Sequence, residues 1–113
     1  MAAEPPSPPP HGPAIAVTAT DGRRAELALA ADFGPGDLRE LEQRLSAPAL
    51  NEAREWIVDM SEVTRFDLAC AYALLRASTR RLETASLTIH GARRAIQRTL
   101  RDVGLDAIAV IDE

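Results

Sequence analysis

Cys70, His11 and His90 are the residues from which thiol or metal chemistry would have to be built in this 113-residue chain. Cys70 follows Asp67 by three positions, where the sequence turns helical. A thiol near a helix N-terminus can have a lowered pKa and react as thiolate. No second cysteine forms a Cys-x-x-Cys pair, and neither histidine is near Cys70 in sequence: His11 sits among prolines and His90 at the end of a short apolar alternation. The spacing does not make a metal-ligand set. A Walker A loop, a Gly-x-Ser-x-Gly elbow and a Gly-rich dinucleotide fingerprint are all missing. The sequence therefore gives no catalytic residue, no metal and no cofactor, and Cys70 reads as a small buried residue. Two hydroxyls, Ser61 and Thr64, stand between Asp59 and Asp67. Their plain reading is a loop whose side chains bond to neighbouring backbone groups.

The elements that must position these residues follow from apolar spacing. In residues 55–60 the β-branched pair Ile57 and Val58 suits a buried strand. Residues 61–66 break that pattern and read as an ordered loop. Asp67 occupies an N-cap position, and from Leu68 the positions Leu68, Ala71, Leu75, Ser78 and Leu82 mark one helix face. Ala69, Ala73 and Ala77 form a smooth stripe that another helix or a partner could approach closely. Upstream, Ala14–Ala19 and residues 25–30 flank Thr20-Asp21-Gly22-Arg23, a hairpin signal, with Ile15, Val17, Leu27 and Leu29 sharing a face. Asp32-Phe33-Gly34-Pro35-Gly36 reads as a loop. Asp37 and Glu40 resemble a capping box for a helix carrying Leu38, Leu41 and Leu45, which Pro48 stops. Downstream come a strand at Ser86–His90, a helix over 92–103 burying Ile96, Leu100 and Val103, Gly104 at its C′ position, and a last strand near 108–111. The order β-β-α-β-α-β-α-β predicts an α/β fold, a mixed sheet of about four to five strands covered by helices.

Composition narrows the function classes. The length suits one domain, over residues 14–113, behind a Pro-rich tail at 1–13 that holds six of the eight prolines. The tail reads as a disordered leader, or as a ligand for an aromatic groove. Net charge is −4, all thirteen basic residues are arginine, and nucleic-acid binding is not expected. Arg94, Arg98 and Arg101 form a stripe that reads as a solvated face, since no aromatic residue accompanies it. With no long apolar run and no signal-peptide pattern, the expectation is a cytoplasmic protein without membrane insertion.

The run Asp59-Met60-Ser61-Glu62-Val63-Thr64-Arg65-Phe66-Asp67-Leu68-Ala69-Cys70, between a hydrophobic strand and a helix of small and apolar residues, resembles the STAS domain. That family is named for sulfate transporters and anti-sigma-factor antagonists. The resemblance covers nearly all of the chain after the tail. It implies a protein-binding module whose partner is an anti-sigma factor of kinase-type fold, with transcription control as the output. It also implies a docking surface over residues 61–72, with Asp32, Ser61, Thr64, Asp67, Leu68, Ala69 and Tyr72 as partner-binding residues. In the family the serine following the aspartate is phosphorylated, placing about −2 charge near a helix N-terminus. Here that position is Leu68, and Cys70 fills the family's glycine position. An apolar residue at the switch either favours permanent docking or marks a role already lost. Ser61 or Thr64 would be displaced phosphoacceptors. Asp32, in a partly matching Ala30-Ala31-Asp32, would line the docking face or cap a turn. The resemblance carries a second outcome: stand-alone STAS domains also act as regulatory subunits of lipid-transport ABC complexes, bound to the ATPase.

Overall fold

The computed structural model describes residues 14–19, 23–80 and 84–112. The Pro-rich tail, the Asp21-Gly22 turn and Leu82 lie outside the described residues. Strand β1 spans Ala14–Ala19, β2 Arg24–Phe33, β3 Glu55–Phe66, β4 Ser86–His90 and β5 Ala109–Asp112. Helix α1 spans Leu38–Leu45, α2 Pro48–Glu52, α3 Leu68–Thr79 and α4 Arg94–Asp102. The five strands lie in chain order, β1 antiparallel to β2 and every later neighbour parallel.

This order decides where the helices go. A right-handed crossover sets its helix on one side of the sheet, and a strand order that never reverses repeats the same side each time. Burial agrees. Leu27, Leu29, Val58, Met60, Leu87 and Ile89 are buried on one face, while Glu26, Ala28, Asp59, Ser86 and His90 on the other are exposed. The expected covered sheet is covered on a single face. The core beneath the helices is aliphatic apart from Trp56, Phe33 and Phe66, whose two phenyl rings meet edge to face at 5.4 Å. Trp56 Nε1–H donates to the Leu50 carbonyl at 3.0 Å, so the largest core side chain leaves no unsatisfied donor and anchors α2.

Several local expectations are corrected. Residues 61–66 are no loop: β3 continues through them and pairs with β2 as far as Phe33 and Phe66. Two register shifts against β2 change the inward spacing from two residues to three, giving Met60, Val63 and Phe66. The polar stretch therefore stays extended while breaking strict alternation. Asp32 and Phe33 likewise belong to β2. Ala31, beside a register shift, has φ of 75°, a value that costs a Cβ-bearing residue roughly 1 kcal/mol. Pro48 opens α2 at its first position rather than only stopping α1. Asp37 makes no capping bond to α1; its Oδ2 accepts from the Gly34 N–H at 2.8 Å and closes the turn before the helix. On α3 the buried set is Cys70, Ala71, Ala73, Leu74 and Ser78, with Leu75 half-buried and Leu68 exposed. Val103 is half-buried rather than buried, and Gly104 takes φ 85° as a C′ residue should.

Candidate docking face

The first two turns of α3 carry the feature that stands out on the surface. Leu68 and Tyr72, four residues apart and hence on one face, are each 49% exposed. The only other large apolar side chain so exposed among the described residues is Val110, on the edge strand β5. The helix start beneath them is firmly set. Asp67 Oδ2 accepts from the Ala69 N–H at 2.9 Å, the expected cap, and the Asp67 N–H donates to the Phe33 carbonyl at 2.8 Å. Ala69 is half-buried between the two apolar residues.

Around this pair the ends of β2 and β3 form a polar rim. Asp32 neither caps a turn nor stands alone: its Oδ1 accepts from Arg65 Nε at 2.7 Å across the two strands. That bond, with the further charges of Asp67 and Asp37, holds the Arg65 guanidinium above its ordinary pKa. Arg65 also lies over Gly34, where an added Cβ would come within 2.9 Å of Nη2. Ser61 donates both its N–H (3.0 Å) and its hydroxyl (2.7 Å) to Asp59 Oδ1, which lowers the Asp59 pKa. Thr64 is exposed on β3. Asp32 and Thr64 stand near the ends of β2 and β3, and Asp67, Leu68, Ala69 and Tyr72 at the start of α3, whereas Ser61 lies mid-strand in β3 against Asp59 and Gly91.

Two structural residues were missed in the sequence. Arg65 joins Asp32 from a distance of 33 positions, a pairing fixed only by the strand register. Gly91 has φ of 75°, and a Cβ there would come within 2.7 Å of the Ser61 Cβ and 2.9 Å of its Cα. The approach to α4 is therefore seated directly against the middle of β3. A glycine directly after a short strand was the available signal for Gly91.

Cys70 is fully buried, its thiol 3.7 Å from the Gly34 carbonyl. Burial, and then the carboxylates of Asp67 and Asp37, push its pKa up to about 11. The helix start does not activate it, and the thiol is protonated at neutral pH. The alanine stripe has an internal use: Ala73 and Ala77 border a hollow of about 350 Å³ with Glu42 and Leu45 of α1, and Arg76 spans it to Glu42 at 3.1 Å. A sheet without order reversal also lacks the crevice where open α/β sheets bind small ligands. Among the described residues no cluster of His, Cys, Asp or Glu could hold a metal, and no helix is long and apolar enough to cross a membrane.

Fold and surface define a small α/β module that presents Leu68 and Tyr72 on a helix beside the ends of two strands. The family model STAS_2, described as Mlab, STAS domain, matches residues 16–112, and the chain belongs to that STAS family. An anti-sigma factor antagonist from Mycobacterium paratuberculosis has the same fold, with a TM-score of 0.74, 16% identity, and 92% of this chain and 88% of that one covered. The Bacillus cell fate determinant SpoIIAA in its phosphorylated form aligns with a TM-score of 0.62 at 13% identity, covering 87% of this chain and 90% of that one. Unphosphorylated SpoIIAA aligns with a TM-score of 0.64 at 10% identity, 87% of each chain being covered. No curated protein matches the sequence.

Proposed function

We propose that this chain is a non-enzymatic docking module that sequesters an anti-sigma factor of kinase-type fold and so regulates transcription. The observation that carries this reading is the exposed Leu68–Tyr72 pair, one turn apart on α3. An apolar and an aromatic side chain at the centre of a polar rim have the anatomy of an interface hot spot. In this reading Asp32, Ser61, Thr64, Asp67 and Ala69 are the further partner-binding residues. Leu68 has no hydroxyl, so the serine switch is missing at that position and control falls to abundance, competition or a mixed complex. Ser61 and Thr64 are the hydroxyls that remain for modification between Asp59 and Asp67, and the Ser61 hydroxyl is already bonded to Asp59.

The test is affinity capture from the native cell with wild type and Leu68→Glu, the glutamate placing charge where the family places phosphate. Capture of an anti-sigma factor by wild type, lost in the variant, supports the reading. Retention of that partner by Leu68→Glu would move the interface elsewhere. A second reading keeps the surface and changes the partner, because the matching family model bears the name Mlab rather than that of an antagonist. Capture of an ABC ATPase of a lipid transporter would select it.

A further inference from the structure

Strand β5 ends the sheet with apolar surface on both of its sides. On the open face Val110 is 64% exposed. On the core face Ala109 and Ile111 stand in register with Leu87 and Ile89, yet they are only half-buried where those two are closed off. Ile108, which leads into the strand, is half-buried as well. The core therefore runs out at this edge before its apolar residues do. The backbone is incomplete in the same place. The Asp112 carbonyl accepts from the Gly91 N–H at 3.2 Å. Along a parallel strand every second residue turns both backbone groups to the same neighbour, so Val110 and Asp112 face β4. Ala109 and Ile111 then direct N–H and C=O outward, and among the described residues nothing bonds to those groups.

Edge strands are commonly blunted by a proline, a bulge or an outward charge. Strand β5 has no proline and pairs with β4 without a register shift. Its one charged residue, Asp112, lies at the last position and is turned toward β4, with Oδ2 3.2 Å from His90 Nδ1. Shortness is the protection that remains, the strand being four residues long. The opposite edge differs. Helices α1 and α2 pack against β1, and no large apolar side chain of its described residues is exposed.

We infer that the β5 edge is self-complementary, and that a second copy of this chain adds its own β5 there, antiparallel about a two-fold axis at Val110. This inference goes beyond the docking reading of α3 and does not rest on it. With the axis at Val110, Ala109 stands opposite the partner's Ile111, and Ile111 opposite the partner's Ala109. These are the outward-directed residues, so both positions become hydrogen-bonded pairs and no outward group is left over. Val110 meets the partner's Val110 at the non-hydrogen-bonded position between them. Side chains come closest there, and β-branched residues pair well across strands. The two Asp112 carboxylates fall at opposite ends of the pairing, so like charges are not opposed. The two five-stranded sheets become one continuous sheet. A two-fold contact also closes on itself, whereas pairing of β5 with a β1 edge would run on into a filament. The buried area is small, which places the dimer among weak, reversible ones.

The experiment is analytical ultracentrifugation of the full chain from about 5 to about 500 µM in roughly 150 mM NaCl. A reversible monomer–dimer equilibrium is expected, with a dissociation constant on the order of 100 µM. Val110→Lys sets two cations opposite each other and should weaken the dimer at least about tenfold. Ile111→Pro removes an outward N–H without touching a bond to β4, and should weaken it by a similar factor. Thermal melts check both folds. Val110→Lys changes an exposed side chain, so it carries the test if the proline variant unfolds. Leu68→Glu should dimerise like wild type. Val110→Cys treated with diamide should give a disulfide-linked dimer, since residues facing each other at a non-hydrogen-bonded position are about 4.5 Å apart at Cα. Asp112→Cys should not cross-link under the same conditions, and the buried Cys70 does not compete. A monomer at every concentration overturns the inference, as does a dimer that persists in Val110→Lys or equal cross-linking at positions 110 and 112. Loss of the dimer in Leu68→Glu, with Val110→Lys unaffected, assigns self-association to α3 and overturns it as well.

Discussion

Helices α3 and α4 each follow a parallel strand and have nearly the same N-cap backbone, yet their first turns are opposites. The start of α3 is completed from within: Asp67 accepts the Ala69 N–H, Cys70 and Ala71 are buried, and the exposed positions are Leu68 and Tyr72. The start of α4 is left open by its own residues. Its N-cap is a cation, its first turn has no acid, and its exposed positions are Arg94 and Ala95. Equivalent backbone geometry therefore says little about what a helix start does. One is internally satisfied and presents apolar surface; the other keeps uncompensated charge.

The comparison breaks most sharply at the glycine that seats α4. Gly91→Val should destabilise the domain by about 3 kcal/mol, from left-handed backbone strain together with overpacking against Ser61. Urea unfolding checks this, and a loss below about 1 kcal/mol would show that the approach to α4 is not held there. The caps come next. Asp67→Ala should cost about 1 kcal/mol, whereas Arg93→Ser should gain a similar amount, since Arg93 already has the extended backbone of an N-cap. Equal signs in thermal melts of the two variants would erase the contrast drawn above. The smallest effect at neutral pH belongs to Cys70. Its pKa is raised from 9.0 to about 11, so the folded state disfavours the thiolate. That contribution is fully present below about pH 9 and declines as pH rises toward 11. Cys70→Ala should flatten this alkaline loss, and the native thiol should react with a disulfide reagent far more slowly than the unfolded chain.

Much of this architecture was legible from local chemistry. Apolar alternation placed Ile15, Val17, Leu27 and Leu29 on one side of the first two strands, Asp67 announced the start of α3, and Gly104 the end of α4. The misses share a cause in non-local geometry. Continuation of β3 through residues 61–66 depends on pairing with β2 and on two bulges, which turn inward spacing from two to three. The Asp32–Arg65 pair needs that same register. Leu68 was grouped with Ala71 and Leu75 by helical spacing, but a residue at the first position of α3 projects past the end of the core. The outward turn of Leu68 is what makes it available to a partner.

The strand order has a kinetic consequence. No pairing in the sheet closes a loop longer than that between Asp32 and Arg65, 33 positions apart, because each strand adds beside the one made before it. Closing such loops costs less chain entropy than joining the first strand to the last. The domain should therefore fold faster than a sheet of equal size whose first and last strands are neighbours.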